Sequence, residues 1–249
     1  MTRIVYLFFY LFVFVSASVS ADPLDDSRSV KVYTLLAPPM VTADARKPGY
    51  AFEIVTAMFQ EAGLTPEIRR LPWRRSQMLL QQTKEGLIFP FTRTPSRESD
   101  YGWAVKIYSS STHFVTLNDE KMTPKLAFHK TVGVHSGTSW DNWLDENGYK
   151  NVRKSPNGND MLLNMLHKGR IDAWYTEATI AQNSLANYPF LKATLSEPVE
   201  TFDVYLASHR SMPSPHVERL QQALTTLIKD GRYAKILEKY GMTGKLTAP

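Results

Sequence analysis

The chain contains no cysteine. That absence excludes disulfide bonds, thiol catalysis and cysteine-based zinc sites. Charge of one sign is never concentrated: 29 Lys and Arg stand against 24 Asp and Glu, with no block of like charges. Nothing here reads as a basic arm for nucleic acid, so no nucleic-acid partner is expected. The histidines (His113, His129, His135, His167, His209 and His216) show no H-x-H or H-E-x-x-H spacing, and no metal site is predicted from them. A phosphate-binding glycine loop and a G-x-S-x-G elbow are both missing. No apolar run reaches the ~20 residues that a membrane-spanning helix needs.

The longest such run is at the start. Arg3 supplies a positive charge, Ile4 to Val15 an unbroken apolar stretch, and Val19-Ser20-Ala21 a small-residue cleavage site before Asp22. Residues 1–21 therefore read as a cleavable targeting segment. An uncleaved anchor is the alternative, and a run of about a dozen residues is short for it. No cysteine marks a lipid attachment at the cleavage site. Without Arg3 the chain carries 28 basic and 24 acidic residues, a formal balance of +4. Export without cysteine fits a bacterial periplasm better than a small disulfide scaffold. The remaining chain of about 228 residues suffices for one large domain or two ordinary ones.

Asp22 to Ser29 is polar and reads as a leader, and Val30 to Leu36 as a first strand. Pro38, Pro39, Pro48 and Gly49 mark a loop. Phe52, Val55, Met58, Phe59 and Ala62 then recur at helical spacing, and Gly63 stops the run. Glu67 to Leu71 reads as a strand, Pro72 opens a helix carrying Trp73, and Leu87 to Phe91 is a short apolar strand. A second block repeats the alternation. Thr131 to Val134 is a strand, and Gly137-Thr138-Ser139 opens a helix. Asn151 to Lys154 follows, then a helix capped by Asn159 or Asp160 and ended by Gly169. Ile171 to Tyr175 and Thr201 to Ala207 are strands, with a helix over Thr176 to Leu185 between them. Two amphipathic helices close the chain, with Leu220, Leu224 and Leu227 on one face and Gly231 at the break. This order predicts an α/β fold with parallel strands. Thr116 to Lys121 reads as a crossing between the two blocks rather than a tether.

Leu87 to Phe91 runs into a polar loop, T-R-T-P-S-R, before an aromatic strand-like stretch to Tyr108. Arg97, placed just past a buried strand end, is positioned to meet an anion with a planar fork of donors. Thr92 and Arg97 form the ends of a T-x-x-x-x-R signature. That signature resembles the one carried by family 3 bacterial periplasmic solute-binding proteins, the amino-acid-binding type. Further pieces support the resemblance: Pro38-Pro39, Gly49-Tyr50, G-V-x-x-G-T-S over Gly133 to Ser139, G-R-I-D-A over Gly169 to Ala173, and D-G-R-Y-A-K-I-L-E-K-Y-G near the C-terminus. Together they cover essentially the whole exported chain.

The resemblance implies a two-lobed type II periplasmic binding fold with two crossover strands and hinge closure on a small ligand. Lobe 1 would take residues 28–116 plus 208–249, and lobe 2 residues 117–207. Arg97 would clamp a ligand carboxylate; otherwise it is a surface arginine paired with Glu98 or Asp100. Thr92 would add a hydroxyl or bond its own loop. Gly137, Thr138 and Ser139 would present a helix start to the carboxylate, or form an ordinary cap, or both, with Ser139 as the contact. Glu177 would meet an ammonium, or favour a helix dipole. Trp73 would form a pocket wall or tuck into the core. Trp103 and Tyr101 read as lining, and Arg74 and Arg75 as a solvated face from which one could reach an acidic ligand.

Two positions depart from the family's pattern. Ala37 stands where an aromatic is usual, and Pro90 stands where a small hydroxyl is usual. Pro90 offers neither a hydroxyl nor an N–H. The expected function is capture of a small carboxylate, foremost an amino acid, by a periplasmic monomer without cofactor, for delivery to an inner-membrane ABC permease. The alternatives are a sensor uncoupled from transport and a dehydratase-like enzyme pairing Glu177 with His135.

Overall fold

The computed structural model describes residues 29–117, 121–156, 158–211 and 215–249. The targeting segment and the leader up to residue 28 lie outside the described residues.

β-Branched and apolar residues alternate into the first strand, β1 (Ser29–Thr34), which pairs in parallel with β2 (Thr65–Arg70) and β3 (Leu87–Thr92). Helices α1 (Tyr50–Glu61) and α2 (Trp73–Thr83) make the crossovers that parallel pairing requires. Pro72 takes the N-cap position of α2, as its place in the sequence predicts. Gly49 precedes α1 with φ 108°, and a side chain there would land on the Met40 carbonyl, so the loop holding Pro38 and Pro39 folds directly onto the helix start.

A similar group is built from β5 (Val132–His135), β6 (Val152–Ser155) and β7 (Ala173–Glu177), again parallel. Its helices are α3 (Pro124–Ala127), α4 (Ser139–Glu146), α5 (Asn159–His167) and α6 (Ala178–Ala186). The N-cap of α5 is Gly158, not Asn159 or Asp160. Asn159 is already helical, and its side chain faces a cavity instead of capping. β7 extends two residues beyond the expected Tyr175, because Thr176 and Glu177 pair with His113 and Thr112.

Two long strands join the groups. β4 (Tyr101–Thr116) has 16 residues, a length of about 50 Å. It runs antiparallel to β9 (Glu200–His209), and from Thr112 onward also to β7; β9 in turn pairs with β3. The sheet order is β2-β1-β3-β9-β4-β7-β5-β6, with the short β8 (Thr194–Leu195) beside β4. This is a two-lobed α/β fold in which β4 and β9 are the crossover strands.

The last helices, α7 (Val217–Lys229) and α8 (Arg232–Lys239), return to α1 and the first half of β4. Leu220, Leu224 and Leu227 are buried, the Gln221 amide donates to the Ala104 carbonyl, and the Tyr233 hydroxyl donates to the Ile107 carbonyl. Burying such leucines contributes roughly 1.5–3 kcal/mol each. Leu227→Ala is expected to destabilise the protein by about 2–5 kcal/mol in urea unfolding, through lost burial and the cavity left behind. A loss below 1 kcal/mol would contradict this packing.

Candidate ligand-binding site

Three chain segments bring chemistry to the gap between the lobes. The first is the end of β3. Phe91 is fully buried, Thr92 is half-buried, and a single 3-10 turn, Pro95–Arg97, bends the chain so that Arg97 folds back. Its Nη1 donates to the Thr92 carbonyl at 3.0 Å, and its guanidinium lies 4.3 Å from the Phe91 ring centroid. Arg97 is only 8% exposed, and no carboxylate pairs with it among the described residues. Glu98 pairs with Arg93 instead, with Nε to carboxylate at 2.9 Å. Burial without a counter-ion pulls the Arg97 pKa down to about 10. Trp73, the first residue of α2, packs on Phe91 at 5.5 Å between ring centroids and presents its indole to the same gap.

The second segment is the turn between β5 and α4. Gly137 has φ 76°, and a side chain on it would press against Arg74 of α2 in the opposite lobe, 3.2 Å from Nε. Its N–H donates to the Asp141 carboxylate at 2.9 Å. The Thr138 hydroxyl accepts from the Asp141 N–H and donates to the His135 carbonyl, so it serves as the helix cap. No such partner engages the Ser139 hydroxyl among the described residues. Of the two hydroxyls, Ser139 is the one left to a ligand.

The third segment is the end of β7. Glu177 is 1% exposed, and its Oε1 accepts from the Ser110 hydroxyl at 2.7 Å and the Thr179 hydroxyl at 3.0 Å. Tyr50 reaches the same cluster through Thr179 at 3.4 Å. No Lys, Arg or His neutralises the carboxylate among the described residues. Desolvation therefore pushes its pKa up to about 6, against the pull of the hydroxyls.

All six residues expected from the sequence, Trp73, Thr92, Arg97, Thr138, Ser139 and Glu177, line one partly open cavity of about 70 Å³. Ala37 and Pro90 also lie in its wall. The sequence reading did not place Met40, Tyr108, Asn159 or Phe202 there. Tyr108 and Phe202 were reachable in principle from alternation along the crossover strands, but only if the pairing of β4 with β9 were known. His135 lines the cavity too, and burial lowers its pKa despite nearby Asp141, so the ring is neutral at pH 7. No hydrogen bond joins it to Glu177 among the described residues. Beside this cavity a wider opening of about 480 Å³ leads outward, walled by Arg74, Gln77, Ser96, Asp100 and Asn142, with Arg97 common to both.

A cleft between two lobes, joined by two crossover strands and holding a buried cation and a buried carboxylate, defines a small-solute-binding protein. The chain belongs to the bacterial extracellular solute-binding proteins, family 3, whose family model matches residues 30–243. This is a family of binding proteins, not enzymes. No curated protein matches the chain in sequence. Solved structures share the fold. The GluR0 ligand-binding core from Nostoc punctiforme, in complex with L-glutamate, is 18% identical with a TM-score of 0.76, over 86% of this chain and 99% of that one. A histidine kinase sensor domain with similarity to periplasmic binding proteins is 17% identical with a TM-score of 0.79, over 89% and 98%. The arginine-, lysine-, histidine-binding protein ArtJ from Geobacillus stearothermophilus is 21% identical with a TM-score of 0.75, over 85% and 94%.

The raised Glu177 pKa has a definite sign in stability. Below about pH 4.5 the carboxyl is protonated both folded and unfolded. As pH rises toward about 6 the unfolded chain loses the proton first, which favours unfolding. The ligand-free protein should lose about 1.3 kcal/mol of stability between those pH values, out of about 2 kcal/mol over the whole titration. Urea unfolding of the wild type and Glu177→Gln checks this: the variant should lack that part of the slope, and identical profiles would contradict the assignment.

Proposed function

We propose that this protein is exported, binds an amino acid between its lobes, and delivers it to an inner-membrane ABC permease. The observation that carries the reading is the pair of opposite charges, Arg97 and Glu177, buried in one cavity without counter-ions among the described residues. A zwitterion supplies both missing partners at once. Its carboxylate meets the Arg97 fork, the Ser139 hydroxyl and the amides at the start of α4, where the helix dipole adds to the attraction. Its ammonium meets Glu177, and Thr92 and Trp73 complete the walls. Glutamate in one structural relative and the amino acids named for ArtJ support this class of ligand.

Residues 1–21 act as a signal peptide that takes the protein to the periplasm. Lobe 1 comprises residues 28–116 with 208–249, and lobe 2 residues 117–207; the packing of α7 and α8 against α1 supports joining the C-terminal part to the first lobe. The protein works as a monomer whose closed form the permease reads. A second reading, a sensor docking on a membrane receptor, is favoured by the likeness to a histidine kinase sensor domain. Uptake of labelled amino acid by cells lacking the protein separates the two: transport requires a deficit, sensing none.

Thermal unfolding against a panel of amino acids tests the binding step. A ligand at ~100 times its dissociation constant should add ~2.7 kcal/mol to the native state. Arg97→Ala should abolish that stabilisation. An equal gain in the variant would remove Arg97 as the anchor.

A further inference from the structure

We propose that the ligand is an amino acid with an uncharged side chain, and that the charge balance of the cavity excludes the acidic and basic amino acids. The inference rests on the amino-acid reading above and extends it to the side chain. Two of the wall residues carry a charge at pH 7, Arg97 and Glu177. A ligand's own carboxylate and ammonium satisfy both. What remains of the wall is apolar or neutral, with Leu35, Met40, Trp140, Ile180, Phe202 and Val204 among its apolar members. Asn159 and Ser136 add polar groups without charge, and His135 is held neutral by burial.

A third charge on a ligand held within this lining would therefore have no side-chain partner of opposite sign. Removing a charge from water without a partner is among the largest penalties available to a binding site. Ala37 and Pro90 belong to this neutral wall, so the positions that depart from the family's pattern contribute no charge to the interior.

The outer opening does not relieve the exclusion. Arg97 is the one residue shared by the two linings, so it stands where a side chain would have to pass. Beyond it the opening carries Arg74 and Asp100, charges of both signs, with the Asp100 carboxylate already accepting from the Ser99 hydroxyl. Arg74 lies across the lobe gap against Gly137.

Titration calorimetry of the exported chain with alanine, valine, proline, glutamate, lysine and arginine tests this, with Arg97→Ala and Arg74→Ala in parallel. The expected result is binding of at least one of alanine, valine and proline, with each charged amino acid weaker by on the order of a hundredfold or more. That binding should vanish in Arg97→Ala and persist in Arg74→Ala. Glutamate, lysine or arginine binding as tightly as the neutral amino acids would overturn the charge exclusion while leaving the amino-acid reading intact. Tight glutamate binding lost in Arg74→Ala would overturn it by showing that the side chain reaches the outer opening. No heat with any of the six would overturn the amino-acid reading, and this inference with it.

Discussion

Two opposite charges held out of water without counter-ions are the constraint on which the rest of this structure turns. Burying either alone costs several kcal/mol, and a protein that needed only stability would pair them or replace them with apolar groups. Here Arg97 is supported by the Thr92 carbonyl and the Phe91 ring, and Glu177 by two hydroxyls, so each is held in place while its charge stays unneutralised. On the proposed reading, the cost is set against a ligand that carries both complementary charges. Recognition then follows from electrostatics and geometry, with no covalent chemistry required.

The sheet explains how two lobes can share one site. Arg97 and Trp73 belong to elements that flank β1 and β3, whereas Ser139 and Glu177 end or follow strands of the second parallel group. The crossover strands run through the middle, and Ser110 of β4 bonds the Glu177 carboxylate directly. Glu177 is thus tied directly to a strand that joins the lobes. Arg74 against Gly137 gives a second contact across the gap, at its outer edge. A ligand that draws the charged groups together favours the closed arrangement by as much as it prefers that arrangement over the open one.

Much of this was legible before any coordinates. The strand and helix order could be read because its signals are local: Pro72 at a helix start, Gly63 and Gly169 at helix ends, and leucines at helical spacing in α7. The six expected residues that line the cavity were reached through motif resemblance, with Arg97 also picked out by guanidinium chemistry. Elements whose bounds depend on partners were less legible. The end of β7 at Glu177 is decided by pairing with Thr112 on β4, a contact 65 positions away that no local pattern encodes. The α5 cap was misread because Asn159 has the right chemistry for capping but is used in the cavity wall. Met40 and Phe202 reach the site through tertiary packing, which periodicity does not report.

The most direct test of the central claim is the number of protons released when the protein binds its amino acid, measured by calorimetry in buffers of different ionisation enthalpy. With the Glu177 pKa at about 6, the ligand-free carboxyl is about half protonated at pH 6, and an ammonium arriving beside it expels that proton. The account predicts release of about half a proton per ligand at pH 6 and essentially none at pH 8. Proton uptake, or no exchange at either pH, would contradict a ligand ammonium placed against Glu177.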